Sequence, residues 1–132
     1  MLIRQYRFSI DDYIYELPAG LVEPGEDYHA AAVRELHEET GLILEPVKAD
    51  PMFEKPGYTT IGMTDESCAT VFGYASGEAS LKYMEENEEI EVVLADRTEA
   101  RRIMREENVA IICAYQLMHF LSEEKPFGFL EI

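Results

Sequence analysis

Apolar and polar positions alternate loosely from Met1 to Phe8, the two-residue period of a β-strand. Asp11 and Asp12 mark a turn. Tyr13 to Leu17, aromatic and β-branched, reads as a second short strand. Pro18, Gly20, Pro24 and Gly25 then punctuate a loop. From Asp27 or Tyr28 to Thr40 the spacing turns helical, with Asp27 suited to the N-cap and Gly41 to the residue that ends the helix. Wound at about 100° per residue, Ala30, Val33, Leu36 and Thr40 share one side, and Glu35, Glu38 and Glu39 the other.

Leu42 to Val47 and Met52 to Phe53 are predicted strands, and Lys55 to Glu66, with Pro56, Gly57 and Gly62, a loop. Ser67 to Tyr74 reads as a strong strand, Met84 to Glu89 as an acidic loop and Ile90 to Leu94 as a strand. Thr98 to Arg105 is a predicted helix with Thr98 as N-cap. A last helix covers Val109 to Phe120, its Ile112, Tyr115, Leu117 and Phe120 packing on a sheet. This irregular alternation predicts an α/β fold, a mixed sheet with helices on its faces. The chain of 132 residues, without repeat or low-complexity linker, is expected to be one domain.

Composition narrows the function classes. A net charge of −16, from 27 acidic and 11 basic residues, argues against nucleic acid or an anionic membrane as partner. No apolar run approaches a membrane span, and Met1 to Ile10 lacks the apolar stretch of a signal peptide. Cys68 and Cys113 lack metal-type spacing and sit in apolar settings, which predicts two buried thiols in a reducing cytoplasm.

Three glutamates on one helical face repel each other, and their hard oxygens suit Mg²⁺ or Mn²⁺. A solvated acidic face, with Arg34 paired to Glu38 at i,i+4, accounts for them as well. The spacing around them decides. Gly20, five residues, Glu26, seven residues, then Arg34-Glu35-Leu36-His37-Glu38-Glu39-Thr40-Gly41-Leu42 follows G-x5-E-x7-R-E-U-x-E-E-x-G-U, nine constrained positions within 23 residues. In this the chain resembles the Nudix hydrolases. The resemblance implies the Nudix α/β/α sandwich and hydrolysis of a nucleoside-diphosphate compound with two or three Mg²⁺ or Mn²⁺ ions. It implies Glu35 and Glu39 as metal ligands with Glu38 beside them, and Arg34 and Glu26 bracing the loop against the helix.

The flanks resemble one branch, the ADP-ribose pyrophosphatases. Arg4-Gln5-Tyr6-Arg7 leads into Glu16-Leu17-Pro18-Ala19-Gly20, as an RQYR-like strand leads into E-x-P-A-G there. The resemblance implies that the Ala19 carbonyl binds metal and that Arg7, a fork-shaped donor, meets the substrate's phosphates. Ile61-Gly62-Met63-Thr64-Asp65-Glu66 is similar to that branch's substrate-lining loop, making Gly62, Met63, Thr64 and Glu66 candidate contacts; Ile61 stands where the pattern has proline. Glu86-Asn87-Glu88-Glu89 resembles the acidic loop that supplies a general base and a further metal ligand. By position Glu86 is the base and Glu88 the ligand, a solvated acidic turn being the alternative.

ADP-ribose, cleaved to AMP and ribose 5-phosphate, is therefore the first substrate expected. Another NDP-sugar, a dinucleoside polyphosphate or an oxidised nucleotide would use the same chemistry. A Nudix domain turned ligand sensor is the reading of another class, disfavoured because every box glutamate is present. Relatives in the branch carry an N-terminal segment exchanged across a dimer. A homodimer is expected here, without that segment. His29, His37 and His119 share no metal spacing and read as structural. Tyr6, Tyr13, Tyr15 and Tyr58 read as half-buried strand residues, with stacking on adenine or ribose as the alternative.

Overall fold

A computed structural model describes residues 1–80 and 89–131. Strand β1, Leu2–Arg7, is the centre of an antiparallel three-stranded sheet, flanked by β2, Asp12–Glu16, and β7, Ile90–Val93. Ile3 faces Glu16 across one ladder and Val92 across the other. Because side chains alternate along a strand, this register divides the sheet into two chemical faces. Leu2 and Tyr15 enter a buried cluster with Ala100, Ile103, Cys113 and Leu117. On the opposite face Ile3, Gln5 and Arg7 line a cavity.

The buried cluster is completed by helices α3, Arg97–Glu106, and α4, Ile111–Ser122. The N-cap of α3 is Asp96, whose carboxylate accepts from the Glu99 amide at 2.8 Å, and not Thr98 as the sequence suggested. An aspartate three positions before a glutamate is itself a capping signature. In α4 the buried residues are Cys113 and Leu117, while Tyr115 is exposed. Val109, before this helix, makes a parallel bridge to Tyr15. The expected mixed sheet reduces to this bridge among the described residues, the named strands pairing antiparallel.

Helix α1 spans Tyr28–Thr40. Its start and end follow the expected chemistry. The Asp27 carboxylate accepts from the amides of His29 and Ala30 at 3.1 and 3.3 Å, and Gly41 adopts φ 75°. Its buried residues are Ala31, Leu36, Glu39 and Thr40, whereas Ala30 is exposed. The covered stripe is therefore rotated from the expected one toward the acidic side. Beyond α1, β3, Ile43–Pro46, pairs with β6, Gly73–Ser76, and β4, Gly57–Tyr58, pairs with β5, Ser67–Cys68.

Two expected strands are corrected. Met52 and Phe53 lie in a short helix, α2, Pro51–Glu54, started by Asp50, whose carboxylate accepts from the Met52 amide at 2.9 Å, and by Pro51. The run Ser67 to Tyr74 is broken, because its two ends pair with different partners and residues 69–72 lie in neither ladder. Phe72 instead packs edge-on against Phe127 and Phe129. Phe129, in the 3₁₀ turn Gly128–Glu131, also stacks on His119, consistent with a structural role for that histidine.

Candidate active site

Arg34 organises the loop that enters α1. Its Nε and Nη2 donate to Glu26 at 2.9 and 2.8 Å, its Nη2 to the Leu21 carbonyl at 3.0 Å, and its Nη1 to Glu35 at 2.8 Å and Glu38 at 3.3 Å. One guanidinium thus ties the loop after Gly20 to the acidic helix face. The hydrogen bonds from Arg34 hold the Glu26 carboxyl down at about 2, and the same bonds raise Arg34. Gly20 lies directly over Glu35: a Cβ built there would fall on the Glu35 carboxylate. The glycine is required by close approach and not by a left-handed φ.

The three helix glutamates differ in environment. The Glu38 side chain is 47 % exposed, that of Glu35 is 18 %, and Glu39 as a residue is 7 % exposed. Glu39 lies about 60° from Leu36 around the helix, so it borders the covered stripe, and Glu38 lies on the far edge. Glu39 lines a cavity of about 230 Å³ with Ile3, Gln5, Arg7, Glu16, Leu17, Ala19 and Ile90. Glu35, Glu38 and Arg34 are not among its lining residues.

Arg7 enters this cavity from the open face of β1. Its Nε donates to Glu16 Oε2 at 2.9 Å and its Nη2 to Glu16 Oε1 at 3.3 Å. Gln5 Nε2 donates to the same Glu16 Oε2 at 2.6 Å. The hydrogen bonds that Arg7 donates to Glu16, followed by the charges of Glu16 and Glu39, raise Arg7 above its ordinary range despite partial burial. Gln5 and Glu16 received no role from the sequence. A signal was present, since Ile3, Gln5 and Arg7 share one strand face and Glu16 precedes the Pro18-Ala19-Gly20 run.

The other candidates lie apart. Gly62, Met63, Thr64 and Glu66 belong to the exposed tip joining β4 to β5, outside the cavity lining, and Glu66 accepts from Thr59 Oγ1 at 2.9 Å. Glu86 and Glu88 lie outside the described residues. Cys68 is exposed and not buried as expected. Cys113 is buried, and burial followed by the Glu16 charge pushes its thiol up to about 11. His29 is not part of the cavity lining; its Nε2 lies 3.1 and 3.2 Å from the carboxylate oxygens of Glu54, an acid the sequence gave no reason to single out.

A hard divalent cation fits the donor set in kind, since Ala19 and Glu39 line one cavity and Glu35 lies one helical turn before Glu39. The described residues do not by themselves gather three acidic, histidine or cysteine side chains into a metal-holding group. Among them no helix is long and apolar enough to cross a membrane.

Known proteins resemble this chain in sequence. An ADP-ribose pyrophosphatase of Saccharomyces cerevisiae is 33% identical over 92 residues, 69% of this chain and 40% of its own length. An ADP-ribose pyrophosphatase of Bacillus subtilis is 29% identical over 113 residues, 83% of this chain and 57% of its own. An ADP-sugar pyrophosphatase of Mus musculus is 45% identical over 51 residues, 39% of this chain and 23% of its own. The chain thus spans less than two thirds of each of these relatives. The family model of the NUDIX domain matches residues 1–120, which takes in β1, the Gly20 loop, α1 and the sheet that carries Arg7. With that match and the packing of Gly20 on Glu35, midway along its acidic helix, the chain belongs to the Nudix family.

Proposed function

We propose that the chain is a divalent-metal-dependent pyrophosphohydrolase acting on a nucleoside-diphosphate compound, first of all ADP-ribose, which it would cleave to AMP and ribose 5-phosphate. One observation carries this reading. Oxygen donors of the kind Mg²⁺ prefers, at Ala19 and Glu39, share a cavity with the guanidinium of Arg7. A volume of about 230 Å³ is below the usual range for a whole organic ligand, so it suits a diphosphate and its ions while the nucleoside lies outside.

Two or three Mg²⁺ or Mn²⁺ ions held by the Ala19 carbonyl, Glu35, Glu39 and Glu88 would polarise the phosphoryl group and lower the pKa of an attacking water. The chain's own residues do the rest. Arg7 binds a phosphate oxygen through outward N–H groups. Arg34 fixes Glu35, with Glu38 closing the same fork. Glu86, or Glu88 in its place, takes the proton of the water whose oxygen bonds to phosphorus as the P–O–P bridge breaks. Gly62, Met63, Thr64 and Glu66 contact the part of the substrate outside the cavity. The protein works in the cytoplasm as a homodimer, which light scattering tests through its mass.

The resemblance to the mouse ADP-sugar pyrophosphatase favours a second substrate, another NDP-sugar, for the same chemistry. A panel decides: ADP-ribose, NDP-sugars, nucleoside triphosphates and dinucleoside polyphosphates, each with Mg²⁺, followed by phosphate release after phosphatase treatment. The expected result is fastest turnover of ADP-ribose. Mn²⁺ binding without turnover of any compound would favour a ligand sensor.

A further inference from the structure

Among the cavity's charged groups, Glu16 has no part in the chemistry proposed above. It is unsuited to being a bystander. Its side chain is 21% exposed, and it receives three hydrogen bonds, two from Arg7 and one from Gln5. Its position explains them. Glu16 pairs with Ile3, so Gln5 lies on the diagonal of the ladder and Arg7 two positions further along the same face. Arg7 therefore has to fold back along the sheet to reach Glu16. That path carries its guanidinium over the cavity instead of out past the end of β1.

Arg7 also shares the cavity with two carboxylates whose charges act on it, Glu16 and Glu39. An untethered arginine there would be drawn toward buried Glu39, where a cation and the diphosphate belong. Glu16 binds the guanidinium side-on, through Nε and one hydrogen of Nη2. Among the described residues this leaves the Nη1 hydrogens and the second Nη2 hydrogen for phosphate oxygens.

We propose that Glu16, steadied by Gln5, is a positioning residue that pre-sets Arg7 over the cavity, so that the arginine is ordered before the diphosphate arrives. The inference rests on the diphosphate reading. Ordering a rotamer-rich side chain in advance is worth roughly three- to tenfold in affinity. Glu16→Ala should therefore weaken binding by that factor, and Gln5→Ala should weaken it less, in the same direction.

The probe is the α,β-methylene analogue of ADP-ribose, which carries carbon at the bridging position and is not cleaved there. Its Kd is measured with Mg²⁺ for the wild type, Glu16→Ala, Arg7→Ala and the double variant, with Glu16→Gln as a shape-preserving partner. Coupling is expected: in the Arg7→Ala background, Glu16→Ala weakens binding no further. Independently, the Arg7 Nε–H resonance should exchange slowly in the wild type and rapidly in Glu16→Ala. Additive losses, or an Nε–H still protected in Glu16→Ala and Glu16→Gln, overturn the proposal. An Arg7→Ala variant that binds the probe as well as wild type overturns the diphosphate reading itself and, with it, the purpose of the clamp. The resonance then reports separately whether the clamp exists.

Discussion

Replacing Gly20 by alanine separates the geometry of Glu35 from the stability of the fold. The new methyl carbon would overlap the Glu35 carboxylate, the far end of a flexible side chain, and no backbone atom is among its three nearest neighbours. The backbone at Gly20 is outside the left-handed region, so alanine adds no strain there. The Glu35 Cδ, which would lie 1.9 Å from that methyl carbon, must retreat by at least about 1.5 Å to regain ordinary contact. That movement breaks the 2.8 Å bond from Arg34 Nη1, while Arg34 keeps Glu26 and the Leu21 carbonyl. A partly exposed pair of this kind is worth at most about 1 kcal/mol, so the urea midpoint should barely move. Misplacing a group of the reacting site by about 1 Å costs on the order of a hundredfold in rate. The expected variant is folded, with kcat/KM for ADP-ribose down about a hundredfold. Urea unfolding and initial rates at saturating Mg²⁺ read the two effects. Undiminished activity would refute the idea that catalysis needs Glu35 where Gly20 lets it lie, and loss of the fold would refute the flexible retreat.

Three other outcomes follow from the structure. His29→Ala leaves the buried Glu54 carboxylate with only the Tyr28 hydroxyl at 3.5 Å among the three hydrogen bonds described for it, and should destabilise by about 3 kcal/mol in urea unfolding. A change below about 0.5 kcal/mol would mean that the pair stabilises little. Glu26 sits at about 2 against an ordinary 4.5, so its contribution is present above 4.5 and is lost as pH falls through 2. The stability gap between wild type and Glu26→Gln should accordingly close between those values, and a gap still open near pH 2 would contradict the assignment. Iodoacetamide at neutral pH should label exposed Cys68 in the native protein, while Cys113, raised to about 11 and buried, should react only after unfolding; mass spectrometry of the labelled peptides reads both.

Helix α1 was legible because its ends are local chemistry. Asp27 caps its own amides, and Gly41 takes a conformation that its sequence position already advertises. Its spacing also carried the metal-type glutamates. What spacing could not separate was Glu39 from Glu38, since their difference arises from tertiary packing, which buries one and leaves the other half-exposed. The same limit hid Gln5 and Glu16. Their meeting with Arg7 is a matter of strand register across the β1–β2 hairpin, and register is set by pairing. Glu54 escaped notice because its partner lies 25 positions away. Ser67 to Tyr74 misled for a related reason: β-propensity does not say which strand is the partner, and here the two ends pair with two different strands.

The most direct test is the turnover of ADP-ribose as Mg²⁺ is titrated, in wild type and in Glu39→Gln, with products resolved by chromatography and Mn²⁺ affinity followed by electron paramagnetic resonance. Glu39 is the carboxylate that the cavity, the helix spacing and the family pattern share. AMP and ribose 5-phosphate should appear only with metal, and Glu39→Gln should lose most of both turnover and Mn²⁺ affinity while staying folded. Metal-independent turnover, or a Glu39→Gln variant as active as wild type, would contradict the assignment of this cavity as the metal-dependent diphosphate site.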